Sequence, residues 1–257
     1  MESKINQLLQ QWPKGTTVAG SWLHEHGVYR QLARRYVASG WLQSIGHGAF
    51  LRAGDNTVDW FGGVYTLQTQ LGLSVYAGGS TALSLSGRGQ SLPLGDQAVI
   101  SLFSERQERL PAWFARHAWG VQLQYRCPRL FTSSEPTMFT EVKHGDFSIR
   151  ISAPERAIME VLHLATTNDA IMHAIELMSG LNTLRPHVLQ SLLEGCRSVK
   201  VKRFFLWAAE SAGHAWFHRL AVARLDLGKG KRSLYRGGQY DTKYRITVPK
   251  QEEMAHV

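Results

Sequence analysis

Four side chains within six residues, Arg30, Gln31, Arg34 and Arg35, have the types and spacing to read DNA. Arginine presents a fork of donors to guanine, and glutamine pairs a donor and an acceptor with adenine. The cations also neutralise phosphates. His47 and Arg52 follow closely enough to touch the backbone or the minor groove. A second cationic group lies near the other end: Lys200, Lys202 and Arg203, then Lys229, Lys231, Arg232 and Arg236. Tyr235, Tyr240 and Tyr244 are interleaved with the later ones and with Lys243 and Arg245. Such a mixture suits a nucleic acid or an acidic protein alike, or a solvated rim whose aromatics complete a core. Glycines at 228, 230, 237 and 238 suggest an exposed loop mobile enough to adapt to a partner.

Catalytic combinations are fragmentary. Gly78-Gly79-Ser80 resembles the turn that opens a nucleotidyltransferase site. No D-x-D or D-x-E follows to hold the divalent metal such chemistry needs, and Asp96 stands alone. A tight turn before a helix is the plainer reading. Glu141 and Lys143 form half of a nuclease E-x-K signature, with the upstream Pro-Asp pair missing. His24 with His26, and His214 with His218, suggest metal by their spacing, but the second pair lacks the glutamate of H-E-x-x-H, and surface or core histidines are the plainer reading. Gly228 to Arg232 is no P-loop, since Leu225 stands where its first glycine belongs. With no complete catalytic set, we expect no enzymatic step, no cofactor and no metal. A metal-dependent nuclease using Glu141 and Lys143 is the alternative.

The elements that must carry the first group are legible from periodicity. Lys4 to Trp12 reads as a helix stopped by Pro13 and Gly15. Thr17 is placed to cap a second from Val18 to His26, and a third runs from Val28 to Ser39 before Gly40. In the third, Tyr29, Leu32, Ala33, Tyr36 and Val37 mark a buried face, leaving the cations on the other. Trp41 to Ile45 and Ala49 to Arg52 form a hairpin around Gly46-His47-Gly48. Three helices and a hairpin with a basic third helix outline a winged helix-turn-helix over residues 1–54. Beyond Asp55 come a helix (58–70), a short strand (73–76) and a short helix (81–85). Period-2 strands follow at 98–103, 121–127, 138–143 and 147–151. Helices return at Pro154, 169–178, 186–193 and 199–211, and a basic strand pair closes the chain over 225–248. The fold class expected is α+β, with a larger mixed domain at 55–257 that could be subdivided near Gln97.

Charge supports a polyanion partner. The chain carries +9 at pH 7, with +4 in residues 1–54, −3 in 55–196, +10 in 197–250 and −2 in the remainder. The 44% hydrophobic content excludes a disordered chain, and no apolar run reaches a membrane span. The first residues lack the layout of a signal peptide, and the two cysteines, Cys127 and Cys196, are far apart. A soluble cytoplasmic protein is expected.

The stretch Val28 to Phe50, VYRQLARRYVASGWLQSIGHGAF, resembles the N-terminal domain of AbiEi antitoxins, the regulators of type IV toxin–antitoxin (abortive infection) systems. So do YAGGSTALSLSG (76–87), ISAPERAIME (151–160), LDLGKGKR (225–232) and YRITVP (244–249), in the same order. The resemblance implies a winged helix that represses its own operon. It also implies a C-terminal antitoxin domain that counteracts a nucleotidyltransferase-like toxin. Operator DNA and that toxin are the implied partners, and the C-terminal basic region would meet the toxin, its RNA target or more operator DNA.

Overall fold

The computed structural model describes residues 4–89 and 98–254. Asp96 and the subdivision point near Gln97 lie outside the described residues. The chain forms two compact units: Met1–Tyr76 with Pro93–Cys127 and Glu141–Arg150, and Ala77–Leu92 with Pro128–Thr140 and Ile151–Val257. The class is α+β, as the periodicities indicate.

The first unit begins with α1 (Lys4–Gln11), β1 (Val18–Ala19), α2 (Gly20–Glu25), α3 (Arg30–Ala38), β2 (Leu42–Gly46) and β3 (Ala49–Arg52). Ile5, Leu8, Trp12, Leu23, Val28 and Ala33 close a small core beneath α3. The second helix starts later than its sequence suggests. Val18 and Ala19 are extended and pair with Phe50 and Ala49, giving the sheet order β1-β3-β2. Thr17 caps nothing; its hydroxyl donates to Thr66 Oγ1 at 2.7 Å. Thr66 belongs to α4 (Trp60–Thr69), whose N-terminus is capped by the Asp59 carboxylate. Gly62 of α4 allows a direct approach of backbones: a Cβ there would lie 2.0 Å from the Gly15 carbonyl. The segment after α1 is therefore fastened to α4 through Thr17–Thr66, and to the loop before α4 through the Gly15 N–H donated to Asp55 at 3.0 Å.

Next come β4 (Val75–Ala77), α5 (Gly79–Leu85), β5 (Val99–Ser104), α6 (Ala112–Arg116), β6 (Gln122–Arg126), β7 (Phe139–His144) and β8 (Phe147–Ser152). The five strands are ordered β6-β5-β4-β8-β7, with β5 parallel to β6 and β4 parallel to β8. The short α6, absent from the sequence reading, buries Trp113 and Phe114.

Helices dominate the second unit: α7 (Pro154–Leu164), α8 (Asn168–Ser179), α9 (Pro186–Gly195) and α10 (Val199–Ser211). Prolines open α7 and α9, where a missing N–H costs nothing. Thr167 and Ser198 cap α8 and α10 with side-chain oxygens. Central α7 packs against α5, α8, α9 and α10 and buries Ile158, Met159 and Leu162. The expected strand pair over 225–248 is shorter than its alternation suggests: β9 (Gln239–Asp241) and β10 (Ile246–Val248) pair, and Arg232 adds a single bridge to Ile246. Residues before them run as loop, because Gly228, Gly230 and Gly237 adopt positive φ that extended strand excludes. No helix among the described residues is long and apolar enough to cross a membrane.

Candidate nucleic-acid interface

Gly27 and Gly40, at φ +72° and +73°, bracket α3 by turning the chain where a side chain would be strained. Leu32, Ala33, Tyr36 and Val37 face inward to different depths, and Arg30, Gln31, Arg34 and Arg35 are exposed. Tyr29 departs from the inward pattern. It precedes the helix as its N-cap residue in extended conformation, so helical phase does not apply to it. It is 60% exposed, its ring edge-on to His24 at 4.8 Å.

Between α2, α3 and the β2–β3 hairpin lies an open groove of about 650 Å³. Arg30, Arg34, His24 and His47 line it over an apolar floor that includes Leu23 and Phe50. The hairpin tip is fixed, because Gly20 donates its N–H to the Gly48 carbonyl at 2.8 Å. The structure thus brings Arg30 and Arg34 together with His47, while Gln31 and Arg35 lie outside the groove lining. Among the described residues none of the four α3 side chains has an ionic or hydrogen-bonding partner. Their charge is open to an external anion.

Arg52 is placed differently from its expected role. Its guanidinium donates to the Leu9 carbonyl at 2.6 Å and sits 5.4 Å over the Trp12 ring, tying β3 to α1. Burial pushes this group down from its ordinary value, with Asp55 acting the other way.

The C-terminal cations separate into two sets. Lys229, Lys231, Arg232 and Arg236 are exposed. Lys202 and Arg203 are buried at 5% and 1% exposure, which removes them from the expected partner surface. The reason is position: both lie on α10, which is packed by other helices and by the following loop. Arg203 donates to the carbonyls of Leu227, Gly228, Gly230 and Arg245. The glycine-rich loop expected to be mobile is therefore wrapped around a buried guanidinium. Lys200 is half-withdrawn, its ammonium donating to the Ala165 carbonyl at 2.6 Å, and burial lowers its pKa.

Gly78-Gly79-Ser80 opens α5, as the tight-turn reading holds. The Gly79 N–H is taken by the buried Glu160 carboxylate at 2.9 Å, which also accepts from Ser152 and from Arg156. The Gly79 N–H is thus already satisfied by the chain's own carboxylate. Sequence reasoning missed this cluster because Glu160 lies 81 residues from Gly79, although its i, i+4 spacing from Arg156 is visible. Glu141 and Lys143 are both exposed on β7. Among the described residues no group of three His, Cys, Asp or Glu could hold a metal. His214 is a core histidine bonded to the Met178 carbonyl; His24 is exposed.

Comparison with known proteins accords with this architecture. Residues 97–249 match the family described as transcriptional regulator, AbiEi antitoxin, type IV toxin–antitoxin system. Residues 1–94 match that described as the AbiEi antitoxin N-terminal domain. The crystal structure of the RV2827C protein from Mycobacterium tuberculosis has a TM-score of 0.61 to this fold at 15% sequence identity, covering 98% of this chain and 92% of that one. No curated protein matches the sequence.

Proposed function

The chain belongs to the AbiEi family of antitoxins and transcriptional regulators of type IV toxin–antitoxin systems, and from that premise we propose that it binds operator DNA, represses its own operon and counteracts a nucleotidyltransferase-like toxin. Residues 1–54 act as a winged helix-turn-helix, with α3 as the reading helix and the β2–β3 hairpin as the wing. Residues 55–257 carry the toxin-directed activity, in the cytoplasm, without a catalytic step. The observation that carries the DNA reading is the unpartnered cationic face of α3 beside a hairpin tip pinned by backbone.

An α-helix of ~10–12 Å diameter fits the ~12 Å major groove. Arg30 and Arg34 then face the backbone nearest the wing, and His47 follows the adjoining phosphates. Gln31 and Arg35, a third of a turn round, reach base edges. Both sets are needed, because phosphate contacts position the protein and base contacts specify the sequence. The sequence of helix, strand, helix, helix and hairpin supports this assignment of roles.

The test is a band-shift titration of the operator region with the full chain, at stated salt. Arg34→Ala should weaken binding by about 1–3 kcal/mol or, for a purely phosphate contact, shallow the salt slope by about 0.9. Reversing Arg34 and Arg35 to Glu in the same chain should abolish repression while leaving rescue from the cognate toxin intact. Unchanged affinity in both variants overturns the role of α3. Loss of rescue together with repression, in a folded protein, overturns the division of labour.

A further inference from the structure

The terminal hairpin and its preceding loop carry an excess of positive charge with no internal use for it. Among the described residues Lys229, Lys231, Arg232, Arg236 and Arg245 have no carboxylate partner, whereas Lys243 is paired with Glu210. Asp226 and Asp241, the acidic residues in this stretch, accept from backbone N–H groups of Gly228 and Tyr244. The uncompensated cations are held close together. Arg203 binds four carbonyls of the loop and of Arg245, and Arg232 exchanges backbone hydrogen bonds of 3.0 Å with Arg245 and Thr247. Arg245 itself adopts φ +55°, the one positive value outside glycine among the described residues. Arg232 and Arg245 are near enough to Arg203 to push its guanidinium further in the direction that burial already pushes it. A rigid cluster of repelling cations lowers its energy when an anion is added.

One more feature specifies the anion. Tyr240 of β9 is 40% exposed, one of few large aromatic side chains left open, and the Lys231 ammonium lies 5.0 Å from its ring centroid. A ring beside unpaired cations offers stacking area next to phosphate-binding charge.

We propose that the β9–β10 hairpin and the 228–232 loop bind a single-stranded nucleic acid, with phosphates on Lys229, Lys231, Arg232 and Arg245 and an unstacked base on Tyr240. A duplex keeps its bases within its own stack, and this surface is a short hairpin and loop with no helix to enter a groove. An acidic polypeptide would satisfy the cations and leave the ring unused. The site lies wholly within the second unit, so it is separable from operator binding by α3.

Fluorescence anisotropy with labelled ten-nucleotide oligo(U), using the full chain, tests it. Tyr240→Ala should weaken binding about tenfold and Tyr240→Phe should retain it, since stacking needs the ring and not the hydroxyl. An abasic phosphodiester of equal length should lose a similar factor against the unaltered protein, which measures stacking without any substitution. Lys231→Gln with Arg232→Gln should shallow the dependence of log affinity on log salt by about 1.4, at roughly 0.7 per single-strand contact. Charge reversal at Arg34 and Arg35 should leave oligo(U) binding unchanged even as it abolishes operator binding. The proposal is overturned if oligo(U) does not bind, if the abasic oligomer binds equally well, or if binding is lost with α3. Displacement by poly-glutamate combined with indifference to Tyr240→Ala would overturn it in favour of an acidic protein.

Discussion

The two basic ends of the chain, residues 1–54 at +4 and 197–250 at +10, use their charge differently. In the first, Arg30, Arg34 and Arg35 stand on an exposed helix face without partners, and a small apolar core supports them from below. In the second, one of two runs with three cations in four residues, Lys200 to Arg203, is partly or wholly buried. There Arg203 organises the carbonyls of the loop that presents the exposed cations. Net charge marks a region as electropositive and says nothing about which cations reach solvent. The N-terminal region presents a ready surface on short secondary elements; the C-terminal one must first build its surface around an internal cation.

The sharpest contrast comes from removing one arginine on each side. Arg203→Met removes a buried guanidinium and its part-buried hydrogen bonds to the carbonyls of Leu227, Gly228 and Gly230, and should cost about 3 kcal/mol. Arg34→Met removes an exposed, unpartnered side chain and should change stability by less than about 0.5 kcal/mol. Thermal melting followed by circular dichroism reads both. Equal small shifts would mean that the Arg203 cage is not structural, and the contrast between the ends would fail.

Periodicity gave away much of this structure, and the places where it failed have physical causes. The strands β5 and β8 and the helices α7 to α10 each bury a run of apolar residues, and β6 and β7 alternate between exposed and half-buried positions, so their patterns are local and readable. β1 is two residues long and exists through its pairing with Phe50, a contact invisible to any short window. α6 spans five residues with adjacent Trp113 and Phe114, too few for a period to show. Tyr29 fits the spacing of the buried stripe but sits before the first helical turn, where spacing carries no meaning. At the candidate sites, residue types were legible and burial was not: Arg203 and Lys231 look alike in the sequence, and their depth depends on what packs against α10.

A second test asks whether charge in the C-terminal unit is structural beyond Arg203. Glu155 is 1% exposed and receives the Arg185 guanidinium at 2.8 and 2.9 Å and the Arg185 N–H at 2.8 Å. Burial alone would raise this carboxyl. The hydrogen bonds from Arg185 outweigh it and hold the group below its ordinary value. A depressed folded-state pKa contributes stability that is complete above the unfolded value, about 4.3, and is lost as pH falls through the lower folded value. Glu155→Gln should therefore cost about 1–2 kcal/mol at pH 7, moderated by the 43% exposure of the Arg185 side chain. The gap from the unaltered protein should narrow in urea melts as pH falls below about 4. A gap that persists undiminished in acid would assign the loss to packing rather than to charge.

The smallest expected effect probes the exception on the N-terminal side. Arg52 is the last residue of β3 in the hairpin and has the charge to touch DNA, yet its guanidinium is spent inside, on the Leu9 carbonyl and the Trp12 ring. Methionine keeps the aliphatic contact of its stem and removes one hydrogen bond and one cation–π contact. Arg52→Met should thus cost about 1 kcal/mol of stability, while operator affinity stays within about twofold. For Arg34→Ala the same two assays should give the reverse pattern, with stability kept and affinity lost. If Arg52→Met instead lowers affinity as strongly as Arg34→Ala, the guanidinium must leave Leu9 to meet a phosphate on binding. Its internal contacts would then be a resting position, and the N-terminal surface would extend from α3 across the base of the β2–β3 hairpin.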